Sequence, residues 1–117
     1  MKIMESDLEK AREDWGNGLI SISKKFENEG IEKASELASL IIEKLYDFDN
    51  GPVLFKPTLS GGDQTFRLDQ IGALSYFVGH NPKYPKDGGF GIKSWREVKS
   101  RTAAQFINGT VAMWMGW

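Results

Sequence analysis

Three side chains in this sequence stand where acid–base chemistry could reach a pocket wall. Asp47 and Asp49 lie in the segment Asp47-Phe48-Asp49-Asn50-Gly51-Pro52, and His80 is the only histidine. A carboxylate or imidazole held in a pocket wall can move a proton to or from a bound molecule. The competing reading is a helix stop and turn for the aspartates and a loop position for the histidine. The Asp-x-Asp-x-Gly spacing loosely matches a calcium loop. Thr58 stands where that loop needs its glutamate, however, and proline follows the glycine. With no cysteine, a zinc site would need His80 plus several carboxylates, and no spacing supports one. Neither a metal nor a cofactor is expected.

The stretch Gly51–Gly91 supplies a second kind of chemistry, an apolar pocket. Its aromatics Phe55, Phe66, Tyr76 and Phe77, with Trp15, Leu19, Tyr46 and Trp95 from outside it, are the expected walls. Lys56 and His80 are the expected polar contacts. Ligand pockets are usually built this way, from aromatics with a few polar groups. Ordinary core packing is the alternative for each, above all for Phe55, Phe66 and Phe77.

These residues need elements to hold them. Leu8, Ala11, Trp15, Leu19, Ile22 and Phe26 recur at three- and four-residue spacing, which predicts a helix from about Asp7 to Asn28. Ser6 and Glu9 form its expected capping box, and Gly30 ends it. Gly16 and Gly18 interrupt the pattern, either as a kink or close contact or as room for a ligand beside Trp15. Ile31, Ala34, Leu37, Ala38, Ile41 and Leu45 predict a second helix to Tyr46, folded back as a hairpin. Val53–Lys56 and Gln64–Arg67 read as two short antiparallel strands around Gly61-Gly62-Asp63. Leu68–Val78 returns to helical spacing. Residues 80–89, with two prolines and a glycine pair, read as a partly stiff flap over the pocket.

From Lys93 the period is two. Val98, Ser100, Thr102, Ala104 and Phe106 share one face of an expected long strand. Asn108-Gly109 is a hairpin turn. The last segment, Thr110–Trp117, is apolar on both faces, and such a strand is normally covered on both. Left open, its edge invites another chain. Self-association is therefore expected through Val111, Met113, Trp114, Met115 and Trp117.

The totals bound the function. A chain of 117 residues, 40% apolar and 26% charged, is the size of one domain with a real core. A net charge of −1 argues against a general nucleic-acid binder. No apolar run approaches the ~18 residues of a membrane span, and the first residues lack a signal peptide's apolar core. A cytoplasmic, bacterial-type protein is the default.

The order of elements resembles the nuclear transport factor two-like superfamily, a cone-shaped α+β fold that includes SnoaL-like and ketosteroid isomerase-like proteins. The segments GPVLFKPT and GALSYFVGHNPKYPKDGGFGIKSW, with Trp15, are similar to a small bacterial and algal group within it. The resemblance implies N-terminal helices packed on a curved antiparallel sheet, as a single domain over residues 1–117 that ends before the last strands. It also implies a cavity for small apolar molecules. The resulting expectation is a homo-oligomeric binder of a small, largely apolar molecule. The alternatives are a small isomerase, dehydratase or hydrolase using Asp47, Asp49 or His80, and a non-catalytic assembly module.

Overall fold

The computed structural model describes residues 1–117. Three helices and one hairpin follow in chain order: α1 (Glu5–Glu29), α2 (Ile31–Leu45), α3 (Gln70–Val78), β1 (Thr102–Asn108) and β2 (Val111–Gly116). The chain is α+β. Short 3₁₀ turns at Phe48–Asn50, Gly62–Gln64 and Phe90–Ile92 punctuate the connections.

α1 begins a little earlier than its spacing suggests. Asp7, not Ser6, closes the first turn: its carboxylate accepts from the Met4 N–H at 2.8 Å. The apolar stripe holds, with Leu19 and Ile22 in the core. The two glycines mark close contacts. A Cβ on Gly18 would lie 3.0 Å from the Ile41 side chain, and one on Gly16 would lie 3.1 Å from Val98. Of the two readings of these glycines, the close contact is the one the structure takes, with α2 at Gly18 and the segment around Val98 at Gly16.

The core joins Leu19, Ile22, Ala38, Ile42, Ala73, Tyr76, Phe77 and Val78. Aromatic contacts run outward from it. Tyr46 meets Phe55 at 5.2 Å between centroids, Phe55 lies over Phe77 at 6.1 Å, Tyr76 stacks on Phe90 at 5.4 Å, and Phe90 meets Trp95 at 5.3 Å. Pairs at such distances add attraction beyond the buried area. Ser23 locks this side to α1. Its buried hydroxyl donates to the Gly91 carbonyl at 2.6 Å and accepts from the Trp95 N–H at 3.0 Å.

The two short strands expected at 53–56 and 64–67 do not form. One backbone bond, Arg67 N–H to the Phe55 carbonyl at 2.8 Å, is all that remains of their pairing. Pro57 offers no N–H. Ser60 and Thr65 divert the carbonyls a ladder would use: Ser60 donates to the Pro57 and Thr65 carbonyls, and Thr65 to that of Gly62.

Arg67 then organises the loop. Its side chain is 4% exposed and that of Asp87 is 6%. The guanidinium donates to Asp87 through Nη1 and Nη2 at 2.7 and 2.8 Å, to the Gly72 carbonyl at 2.9 Å, and through Nε to the Gln64 carbonyl at 2.8 Å. Ser75 donates to the same carboxylate at 2.7 Å, and the Tyr84 ring covers the guanidinium. The 80–89 segment is therefore pinned by Asp87 to α3 and to the loop, rather than hinged as a flap.

The sheet is smaller than the alternation suggests. The ladder starts only at Thr102, because β2 is the one strand in the chain available to pair, from Thr102↔Gly116 to Asn108↔Val111. Trp114 faces inward and donates to the Thr102 hydroxyl at 2.8 Å. The other face is open: Phe106 is 66% and Met113 70% exposed, beside Val111 and Met115. Within one chain this strand is therefore covered on one face only.

Replacing Asp87 by asparagine leaves a buried guanidinium without its charge partner, a change that costs about 3–5 kcal/mol. Burial pushes the Asp87 carboxyl up, but the hydrogen bonds from Arg67 and Ser75 outweigh it and hold it below its ordinary value. A depressed carboxyl stabilises the fold above its unfolded pKa of about 3.9 and loses that contribution as pH falls through the folded value. Urea unfolding should show wild-type stability declining below about pH 4, with a shallower acid dependence in Asp87→Asn.

Candidate functional site

A cleft of about 820 Å³ opens between the first half of α1 and the hairpin. Its walls are Glu9, Ala11, Arg12, Glu13 and Trp15 from α1, Val98, Lys99 and Ser100, Trp114 and Trp117 from the hairpin side, and Thr58. Gly16 allows Val98 to cross α1 closely, which sets Ser100 beside Arg12. The Arg12 Nε donates to the Ser100 hydroxyl at 3.1 Å, and its guanidinium carbon stands 4.6 Å from the Trp114 ring centre. The Arg12 Nη1 is shielded from solvent and has no protein hydrogen-bond partner. A buried donor left unmade costs on the order of 1–3 kcal/mol.

Behind Thr58 lies Tyr76. The Leu59 N–H donates to its phenol oxygen at 2.9 Å. Burial pushes the phenol above its ordinary value, against the hydrogen bonds with Leu59 and Thr58 that pull it down. The phenol oxygen therefore accepts from the backbone while its proton stays in place, free to be donated. Thr58 lines the cleft, and the Tyr76 phenol stands behind it within hydrogen-bonding reach of its side chain.

Trp15 faces both the cleft and the core, where it meets Leu19, Ile22, Ile41, Ile42, Tyr46 and Phe77 around a void of only about 10 Å³. Its indole N–H donates to the Tyr46 phenol at 2.9 Å. Burial raises the Tyr46 pKa, opposed by that bond. Of the expected pocket walls, Trp15 is the one in the cleft. Leu19, Tyr46 and Phe77 are core, Phe55 and Trp95 continue the aromatic packing, and Tyr76 reaches the cleft through Thr58. Phe66 is 68% exposed, and Lys56 is exposed with its ammonium 3.4 Å from the Thr58 carbonyl.

Asp47, Asp49 and His80 are all exposed and line no part of the cleft. Asp47 accepts from the Asn50 amide at 2.8 and 3.0 Å, a turn role. His80 Nδ1 lies 2.8 Å from the Val78 carbonyl. No acid–base chemistry is built on them here. No three His, Cys, Asp or Glu side chains gather as a metal site would require. Thr58, Arg12 and Ser100 escaped the sequence reading. A threonine after a proline and an arginine on a charged helix face carry no periodic signal.

The metal-independent carbonic anhydrase family model matches residues 6–117. A metal-independent carbonic anhydrase of Nostoc sp. is 44% identical over 114 residues, which are 97% of this chain and 56% of that protein. This chain thus spans little more than half the length of that relative. The crystal structure of an iota-carbonic anhydrase from a cyanobacterium, complexed with bicarbonate, superposes with a TM-score of 0.96 at 43% identity. The match covers 98% of this chain and 70% of that one.

These matches correct two expectations. The nuclear transport factor two-like assignment gives way to a more specific family, since an order of helices and strands is shared far more widely than a sequence. The small, largely apolar ligand gives way as well, because the relative of known structure holds bicarbonate, a small polar anion. An isomerase, dehydratase or hydrolase working through Asp47, Asp49 or His80 finds no support either, since all three side chains are exposed and line no part of the cleft.

Replacing Tyr46 by phenylalanine deletes the acceptor of the Trp15 indole N–H. Stability should fall by about 1–3 kcal/mol, and the Trp15 indole N–H resonance should move in the ¹H–¹⁵N spectrum. An unmoved resonance would show that the bond is not made in solution.

Proposed function

The chain belongs to the metal-independent carbonic anhydrase family, and from that premise we propose that it interconverts carbon dioxide and bicarbonate at the Thr58–Tyr76 wall of the cleft. The observation that carries this reading is the hydroxyl pair, with a buried phenol whose oxygen is already occupied by a backbone N–H. Hydration forms a bond from a water oxygen to the carbon of CO₂ and breaks one C=O π bond. Negative charge collects on the CO₂ oxygens, and one proton leaves the water. A metal would normally stabilise that charge and acidify the water. The groups that the Thr58–Tyr76 pair can offer to that charge are hydrogen-bond donors.

The Tyr76 phenol donates toward the developing oxyanion, a preorganised donor in a partly water-excluded site. Thr58 orients the attacking water by accepting from it, so that the two reactants meet in a fixed geometry. The open mouth of the cleft passes the released proton to solvent. Because burial holds the phenol above its ordinary value, it stays a donor beyond about pH 10.

Self-association is a separate proposal. Of the expected interface, Val111, Met113 and Met115 form one exposed apolar face of the hairpin with Phe106, while Trp114 and Trp117 line the cleft; covering that face against another chain would remove it from water. Light scattering with Met113→Glu checks it. The wild type should be larger than one chain and the variant monomeric, whereas a monomeric wild type at micromolar concentration refutes it.

Stopped-flow CO₂ hydration tests the main reading. Tyr76→Phe should lower kcat by on the order of 10²–10³, the loss seen when one oxyanion donor is deleted. Thr58→Val should also be slow, and His80→Ala should match wild type. Full activity in Tyr76→Phe would sink the proposal.

A further inference from the structure

Four arginines occur in the chain, and the structure uses them in two ways. Arg67 and Arg96 each hold a carboxylate with two nitrogens, from Asp87 and Glu27 respectively. Arg12 and Arg101 instead lie over tryptophan rings, Trp114 and Trp117. Arg12 differs again, because it lines the cleft and keeps one shielded nitrogen with no acceptor. Glu9 and Glu13 stand beside it on the same helix, and neither forms a hydrogen bond or ion pair with it. A Glu–Arg pair three apart on a helix is an easy contact to make. The guanidinium is held instead by Ser100 through Nε and lies over the Trp114 ring.

We propose that Arg12 is the anion-recognising residue of the cleft, and that its ligand is a planar monovalent oxyanion of the bicarbonate type. This rests on the carbonic anhydrase reading for the identity of the natural ligand, though not for the site itself. With Nε committed and one face covered, the plane of the guanidinium and of its N–H edge is set, and Nη1 is left unpaired. Such an edge matches the two oxygens of a planar oxyanion and gains less from a spherical ion. Lys99, the other cation of the cleft, is a poor competitor. It is exposed, and its ammonium lies 3.3 Å from Glu97. Neutral CO₂ gains little from Arg12, so the residue acts on the charged partner of the reaction.

Equilibrium titration of the full chain tests this without any need for turnover. Sodium nitrate, sodium bicarbonate and sodium chloride are added at constant ionic strength while the Trp15 and Trp114 indole N–H resonances are followed. Wild type should saturate with nitrate and bicarbonate, tighter than with chloride, and move the Trp114 signal. Arg12→Gln should weaken nitrate binding by about tenfold or more, as expected for one lost charge-assisted pair. Arg12→Lys should keep a charge yet lose the preference for nitrate over chloride. Lys99→Gln should stay within about twofold of wild type, as an exposed ion pair allows. Dispersed indole signals confirm that each variant is folded, and Arg12→Lys carries the comparison if Arg12→Gln is not. Nitrate binding by Arg12→Gln equal to wild type, an equal loss in Lys99→Gln, or no nitrate preference in wild type overturns the assignment. Arg12-dependent nitrate binding in a chain that fails to hydrate CO₂ would sink the carbonic anhydrase reading and leave Arg12 standing. Hydration with Arg12-independent nitrate binding would do the reverse.

Discussion

A buried ion pair between Arg67 and Asp87 holds the middle of this molecule in place. Burying two charges is costly, and the cost is offset only when every lone pair and proton finds a partner. Here the guanidinium has Asp87, the Gly72 and Gln64 carbonyls and the Tyr84 ring, and the carboxylate has Ser75 as well. The pair ties three segments that share no ladder: the loop before Arg67, the helix α3, and the 80–89 connection. Its position decides where Pro57–Ser60 must run. That course brings the Leu59 N–H onto the Tyr76 phenol and leaves Thr58 at the cleft.

The cleft has a second support on its far side. α1 carries glycine at 16 and 18, and the chain exploits both for close approach, to Val98 and to Ile41. The crossing at Gly16 aligns Ser100 with Arg12, and the inward face of β2 adds Trp114 below the guanidinium. One wall of the cleft thus offers hydroxyl groups and the other an oriented cation, with Trp15 between cleft and core.

Much of the helical framework was legible in the sequence, because burial against a core writes a period of 3.6 into α1, α2 and α3. The stop after α1 and the hairpin turn near Gly109 were legible too, since Gly30 and Gly109 take positive φ values of 85° and 63°. The loop 53–67 was not. Its apolar alternation looks like a hairpin, but Pro57 and the Ser60 and Thr65 hydroxyls redirect the backbone bonds, and Arg67 reads as a surface charge until Asp87, twenty residues on, is seen beside it. The aromatics that suggested a ligand pocket are mostly core for the same reason that makes them tempting: large rings are where burial gains most. The cleft residues that the sequence hid are a threonine, a serine and an arginine, whose placement beside Trp15, Trp114 and Trp117 depends on three-dimensional proximity alone.

Hydroxyl groups that interconvert CO₂ and bicarbonate with no metal ion, as proposed for Thr58 and Tyr76, must also exchange oxygen between bicarbonate and water. Loss of ¹⁸O from labelled bicarbonate to solvent water, followed by mass spectrometry on protein stripped of metals and held in a chelator, tests it most directly. The account predicts label loss well above the uncatalysed rate, unchanged when zinc is added back. Label loss at the uncatalysed rate, or activity that appears only with added zinc, would contradict it.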